Sequence, residues 1–295
     1  RLGDVAVAGG DLDGARTHYA AALAISERLA GADPRNTGWQ RDLSISHEKL
    51  GDVAVAVGDL DGARTHYAAD LDIRERLARA DPRNTGWQRD LSVSHNKLGD
   101  VAVAVGDLGG ARTHYAAALA IAERLAGADP RNAGWQRDLS ISHDRLGEVA
   151  VAVGDLDGAR THYAAALDIS ERLAGADPRN TEWQRDLSVS HNKLGNVAVA
   201  VVDLDGARTH YAAALAIRER LAGADPRNTG WQRDLSMSHG KLGQLAAAGG
   251  DRDGARKHFE AGLAIVQPLV ALHPEDAASQ RLVQAFTRNL ERLEP

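Results

Sequence analysis

WQRDLSISHEKLGDVAVAVGDLDGARTHYAADLDIRERLARADP, Trp39 to Pro82, decides the fold. Its opening string, WQRDLS, begins again at Trp87, Trp135, Trp183 and Trp231. LG begins at Leu2, Leu50, Leu98, Leu146, Leu194 and Leu242, so the interval is 48 residues throughout. Self-similarity at a fixed period of this size marks a solenoid, in which copies stack and bury a continuous core only with their neighbours. Near-identical copies also argue against one catalytic centre.

Two helices can be read inside the stretch. Trp39, Leu43, Ser46 or His47, Leu50, Ala54 and Val57 fall three or four apart, which is one helical face. Thr37 with Gln40 is a capping-box pattern, and Asn36 is the rival cap; Ala133 replaces the threonine in one repeat and leaves Asn132 as the cap. Gly58-Asp59 ends this helix. Asp59 caps the next, with Asp61 in its first turn favoured by the helix dipole. Leu60, Ala63, Tyr67, Leu71 and Leu77 mark the second helix. Ala80-Asp81-Pro82 stops it, since proline has no N–H to donate. Each repeat is thus an antiparallel pair of helices of about 20 residues, ~30 Å long.

The chain is predicted to be all-α, one solenoid over 1–295. The expected repeats are 1–36, 37–84, 85–132, 133–180, 181–228 and 229–275, with a closing helix over 276–293. Second helices are expected near 12–32, 60–80, 108–128, 156–176, 204–224 and 252–267. Full first helices begin near 37, 85, 133, 181 and 229; the first repeat keeps a stub, Leu2 to Ala8. Pro268 is expected to interrupt the last second helix. The closing helix is polar, as an open solenoid end needs, and Ser279 takes the tryptophan's place.

Charge is balanced, 35 basic residues against 41 acidic for a net −6. A nucleic-acid binder shows a basic stripe, and none is evident, so nucleic acid is not an expected partner. There is no cysteine, hence no disulfide framework or thiolate metal site. No apolar run approaches the ~20 residues of a membrane span, so no membrane is expected, and no signal-peptide pattern opens the chain. The start at Arg1, part-way through a repeat, reads as a piece of something longer. Arginine outnumbers lysine 30 to 5, a bias that suits a GC-rich bacterial genome, with the cytoplasm as the expected location. Oligomeric state is not legible.

His47-x2-Leu50-Gly51-x2-Ala54, then Ala63-x3-Tyr67, then Pro82 resembles the tetratricopeptide repeat, whose pattern is W-x2-L-G-x2-Y, A-x3-F, P over 34 residues. GDLDGA resembles that family's inter-helix turn. The likeness covers nearly the whole chain. His47 replaces the family's Trp and Ala54 its Tyr, and this is a long variant with 14 extra residues per period. Seven lie between Tyr67 and Pro82 and seven between Pro34 and His47. Seven residues are about two helical turns, with a drift of only ~20°, so each helix is lengthened without rotating its buried stripe. The resemblance implies a right-handed superhelix of helix pairs, with first helices lining a concave groove that binds peptides or protein segments.

Several motifs have bland readings. His47, His95, His143, His191 and His239 form one ladder; His18, His66, His114, His162, His210 and His258 form another. Neighbouring rungs at the ~8–10 Å of packed helices are too far apart to share an ion bound at ~2 Å. The histidines are therefore read as inter-helix packing with one hydrogen bond per ring, and no metal or cofactor is expected. Asp59-x-Asp61-Gly62 is a helix cap, not a calcium loop. No nucleophile elbow, phosphate loop or dinucleotide fingerprint occurs, so no enzyme is expected. The five tryptophans, on the apolar stripe, are read as core.

The positions that change between repeats carry the functional reading. One reads Glu48, Asn96, Asp144, Asn192, Gly240. Four residues on, another reads Asp4, Asp52, Asp100, Glu148, Asn196, Gln244. With Arg41, Ile45 and Val55, the residues at 48 and 52 form one strip, spaced four, three, four and three. By the resemblance it faces the groove, together with Arg89, Asn96, Asp100, Arg137, Asp144, Glu148, Arg185, Asn192 and Asn196. This groove would be acidic at its N-terminal end, partly neutralised by the arginines, and suited to a basic or repetitive partner. A third changing position, Ser26, Arg74, Ala122, Ser170, Arg218 and Val266, is expected to look outward. The leading functional expectation is a peptide- or protein-binding scaffold. The rivals are a spacer or sensor arm of a multidomain signalling protein, and a consensus-like engineered solenoid.

Overall fold

The computed structural model describes residues 2–294. The described residues form α-helices and no strand, and they fall into two compact units, Arg1–Val153 and Gly154–Pro295. The first holds α1 (Leu2–Ala8), α2 (Leu12–Ala32), α3 (Thr37–Ala56), α4 (Leu60–Ala80), α5 (Thr85–Ala104), α6 (Leu108–Ala128) and α7 (Ala133–Ala152). The second holds α8 (Leu156–Ala176), α9 (Thr181–Ala200), α10 (Leu204–Ala224), α11 (Thr229–Ala248), α12 (Arg252–Leu272) and α13 (Ala277–Glu291). Within each unit a helix packs chiefly on the one before and the one after it, as in a solenoid of helix pairs. Asp52 on α3 meets Tyr67 on α4, while Glu48, one turn earlier, meets Arg74, two turns later. The partners therefore run antiparallel.

The helix ends follow from single side chains. Asn36, Asn84, Asn132, Asn180 and Asn228 each accept from the tryptophan N–H three residues on, at 3.1 Å. Asparagine, not the Thr37–Gln40 box, is the cap. Thr37 is already helical, and the glutamines reach back to the preceding helix, as Gln88 Nε2 does to the Ala78 carbonyl at 3.2 Å. Asp59 caps α4 by accepting from the Gly62 N–H at 2.9 Å. Between them the chain turns through Gly58 at φ +79°, where the Gly58 N–H bonds Val55 O and the Asp59 N–H bonds Ala54 O. This left-handed closure satisfies the last carbonyls of the first helix. In the turn from α9 to α10 the same place is held by Val202, at φ 62°.

The core is shared between repeats. Ala63 and Tyr67 of α4 pack with Ala54 of α3 and with Leu98 and Val101 of α5, and the same set recurs at Tyr19, Tyr115 and Tyr211. Gly51 is pressed against the Tyr67 ring, where a Cβ would lie 2.4 Å from Cε1. The N-terminal half of each first helix buries serines instead: Ser44, Ser46, Ser92 and Ser94 and their copies are all buried. Ser46 donates to the Asp42 carbonyl at 2.9 Å, so the hydroxyl is satisfied within its own helix. The expected core stripe is thereby corrected. All five tryptophans and Leu43 are only half-buried, and Val57 is 48 % exposed. A first helix is flanked by the second helices of two repeats, α2 and α4 around α3. Its buried arc is therefore wider than one stripe and takes in Ser44 and Ser46, leaving the tryptophan at the rim.

Pro268 does not interrupt the last second helix. It lies inside α12, which runs on to Leu272. Proline removes one backbone bond, and buried Val266 and Leu269 on either side hold the helix against α13. In α13 Asp276 is the cap, accepting from the Ala278 and Ser279 N–H groups at 3.0 and 3.3 Å. Phe286, with its ring centre 6.3 Å from that of Phe259, closes the last core layer.

Candidate functional site

The first helices of the first compact unit present a face of alternating ion pairs and valines. Asp52 Oδ1 accepts from the Tyr67 hydroxyl and from Lys97 Nζ, both at 2.7 Å. The lysine ammonium also stands 5.8 Å above the Tyr67 ring. One repeat on, Asp100 accepts from the Tyr115 hydroxyl at 2.6 Å and from Arg145 Nη2 at 3.4 Å. Asp4 accepts from the Tyr19 hydroxyl at 2.8 Å and lies 3.6 Å from Lys49. Burial, then the bonded carboxylate, pushes the Tyr19 hydroxyl up to about 12, and Tyr67 and Tyr115 further in the same direction. These phenols stay protonated and act as donors. The Tyr19 bond in turn holds the Asp4 carboxyl below its ordinary range.

Two open clefts lie between successive rungs. One, of about 310 Å³, is lined by Asp52, Val55, Tyr67, Lys97, Asp100 and Val101 among others. The next, of about 210 Å³, is lined by Asp100, Val103, Tyr115, Arg145 and Glu148 among others. Val55, Val103, Val151 and Val199 are each 42–44 % exposed, an apolar ladder at one place on every full first helix but the last. In the second compact unit the carboxylate is missing from the corresponding place. Asn196 Oδ1 takes the Tyr211 hydroxyl at 2.8 Å. Lys241 has no ion pair among the described residues, and burial lowers its ammonium from the ordinary value.

The structure divides the strip expected from sequence. Asp52, Val55, Asp100 and Glu148 come together in the clefts, and Asn196 is exposed at the equivalent place. The arginines form a separate row of links between first helices: Arg41 to Asp90 at 3.2 Å, Arg89 to Asp138 at 2.5 Å and Arg185 to Asp234 at 3.0 Å. They neutralise these aspartates rather than the cleft carboxylates. Arg137 and Ile45 are half-buried. Glu48 turns away from the face to pair with Arg74, which is only 4 % exposed. Asn96, Asp144 and Asn192 are half-buried at the same position. Asn192 Nδ2 donates to its own helix at Ser188 O, 3.1 Å away.

The third changing position was expected outside and lies inside. Ser26, Arg74, Ala122, Ser170, Arg218 and Val266 are all buried. Ser26 meets Ser46 at 3.1 Å and Ser170 meets Ser190 at 3.3 Å. Arg74 pairs with Asp70 at 2.8 Å, pairs with Glu48 and donates to the Asp90 carbonyl at 2.8 Å. Asp70 is fully buried and accepts from Ser94 at 2.7 Å. Burial pushes its carboxyl up to about 6, against the opposing pull of Arg74 and Ser94. Arg218 has neither carboxylate and donates instead to Ser188 Oγ, Ser238 Oγ and the Asp234 carbonyl. Hydropathy assigns arginine and serine to the exterior. What could have corrected that reading is Asp70, alone in taking a carboxylate where the other repeats have Ala22, Ala118, Ala166, Ala214 and Gly262.

The two histidine ladders meet in pairs. His47 Nδ1 lies 3.2 Å from His66 Nδ1, and the contact recurs for His95–His114, His191–His210 and His239–His258. Among the described residues no three His, Cys, Asp or Glu side chains are grouped to hold a metal ion, and no helix is long and apolar enough to cross a membrane.

Residues 144–180 match the family model of the tetratricopeptide repeat. No curated protein sequence matches the chain significantly. Among solved structures, BtubC (BKLC) from P. vanneervenii is 20 % identical at a TM-score of 0.68, over 90 % of this chain and 94 % of that one. The apo form of RapI is 10 % identical at 0.57, over 98 % and 96 %. PilW, a type IV pilus biogenesis factor, is 13 % identical at 0.50, over 96 % and 95 %. At these identities the likeness is one of fold. The matched segment recurs every 48 residues as antiparallel helix pairs, with Gly3, Gly51, Gly99, Gly195 and Gly243 each packed on an aromatic ring, and the chain is therefore a tetratricopeptide-repeat protein.

Proposed function

We propose that this protein is a non-enzymatic scaffold that binds a peptide or protein segment along the face of its first helices. Tetratricopeptide-repeat proteins commonly bind peptides or proteins and are generally non-catalytic. The observation that carries the reading here is the pair of clefts at Asp52–Lys97 and Asp100–Arg145, with Val55 and Val103 exposed beside them. Each rung offers an apolar contact flanked by one carboxylate and one cation. An extended segment with an apolar side chain at each rung and polar backbone between them fits that alternation. Because Lys97 and Arg145 already neutralise Asp52 and Asp100, this face does not favour a basic partner by its field alone.

Selection from a random peptide display library tests the proposal. Enriched peptides should lose at least tenfold in affinity for Val55→Asp/Val103→Asp and keep it for Glu123→Arg on the exposed side of α6. Enrichment of nothing, or binding indifferent to the valine changes, would refute the assignment.

A further inference from the structure

The histidine pairs have a geometry that packing does not require. In each, ring centres lie 5.4–5.5 Å apart at a tilt of 41–42°, while the Nδ1 atoms are 3.1–3.2 Å apart. An imidazole Nδ1 stands roughly 1.15 Å from its ring centre. The difference between centre and nitrogen separations is therefore the sum of two such radii, so both nitrogens point along the line joining the rings. That is the alignment of one N–H···N hydrogen bond. A tetrahedral ion, by contrast, would need the two lone pairs to converge at an angle. One ring must then carry its proton on Nδ1 and the other on Nε2.

We propose that each pair is a proton-operated latch between the first and second helix of its repeat. A neutral pair closes it. A single added proton leaves one N–H⁺···N bond in place. A second proton sets two donors and two positive charges nose to nose, and the latch opens. Copies at His47–His66 (α3 to α4), His95–His114 (α5 to α6), His191–His210 (α9 to α10) and His239–His258 (α11 to α12) would make acid act on these repeats together.

The surroundings favour the closed form at neutral pH. Burial is the largest influence on all eight rings and lowers them from the ordinary histidine value, His95 to about 4. In His47, His191 and His239 the partner ring lowers them further, as it does in His95. The opposing charges are few: Glu27 of α2 faces His47, and the cap Asp59 faces His66. Asp107 raises His114 while Arg64 of α4 lowers it. Asp203 and Glu171 raise His210. Asp251 raises His258 and Lys257 lowers it. Groups held below their unfolded value contribute stability in full above about pH 6.5 and lose it as pH falls from there through their folded values.

Nitrogen-15 NMR of the full chain at pH 7.5 reads the latch directly. In each pair one ring should be the Nδ1–H tautomer and the other the Nε2–H tautomer; finding all eight rings in the same tautomer would overturn the proposal. Calorimetric unfolding at pH 5.5, repeated in buffers of different ionisation enthalpy, should show net proton uptake. His95→Gln/His114→Gln should lower that uptake by about one proton or more, because His95 is neutral at this pH when folded and largely protonated when unfolded. No uptake in the parent, or no change in the variant, would refute the latch even if both proteins fold.

Discussion

Val202→Gly should stabilise this protein, although it deletes an apolar side chain. Gly10, Gly58, Gly106, Gly154 and Gly250 close the equivalent turns at φ +77 to +81°, and Val202 is held at φ 62°. The turn bonds are those of the glycine turns: the Val202 N–H to Val199 O at 3.0 Å and the Asp203 N–H to Ala198 O at 2.8 Å. Valine is thus forced into the left-handed region by the helices on either side. That conformation costs an L-residue roughly 1–2 kcal/mol, and a β-branched one sits at the upper end. Val202 is 77 % exposed, so its removal forfeits only about a quarter of the ~1.5–3 kcal/mol of a fully buried valine. Glycine's greater freedom in the unfolded chain takes back roughly 0.5–1 kcal/mol. The balance is a net gain of about 0.5–1 kcal/mol. Because repeats open locally, the assay is native-state hydrogen exchange of the amides at 202 and 203, which should slow about two- to fivefold. Gly106→Val is the mirror test and should speed exchange at 106 and 107 by a similar factor. If Val202→Gly is neutral or destabilising while Gly106→Val is harmless, the strain argument is wrong.

Arg74→Met should destabilise by about 3–5 kcal/mol in urea titration, because it strands the buried Asp70 carboxylate. Asp70→Ala added to it should recover most of that, since Ala118 and Ala122 occupy the two places in α6 and both are buried. Asp70 has its own pH signature. Its folded carboxyl is raised to about 6, above the unfolded value, so this group lends stability as pH falls from about 6 towards 4; Asp70→Asn should remove that increment from the pH dependence of the urea midpoint. Gly99→Ala places a Cβ 2.4 Å from Tyr115 Cε1 and should cost about 1–3 kcal/mol by overpacking, read by thermal unfolding against Gly127→Ala, where nothing lies within 4 Å.

The 48-residue period, the two helices of each repeat and their aspartate caps are local properties. A spacing of three and four, a side-chain oxygen ahead of a helix and a glycine or proline after it act within a few residues, so Leu60 to Ala80 could be bounded from its own letters. Pro268 shows the limit of that locality, because the contacts of Val266 and Leu269 with α13 carry the helix past it. Asp52 and Val55 were legible as a face because the helical period places them together. Which residues face which could not be read the same way. Arg74 looks like an exterior residue until the first helices of two repeats enclose it, and Ser26 until Ser46 of α3 meets it. Glu48 looks like a groove residue until Arg74 reaches it across the helix pair. His47 and His66, one in each ladder, become a pair only when antiparallel packing brings positions 19 residues apart into register. Those outcomes depend on which helix lies opposite, and the free energy of an ionic or polar group depends on the partner and the dielectric it meets there; a repeat's own sequence carries the group, and only the stacked structure supplies the partner.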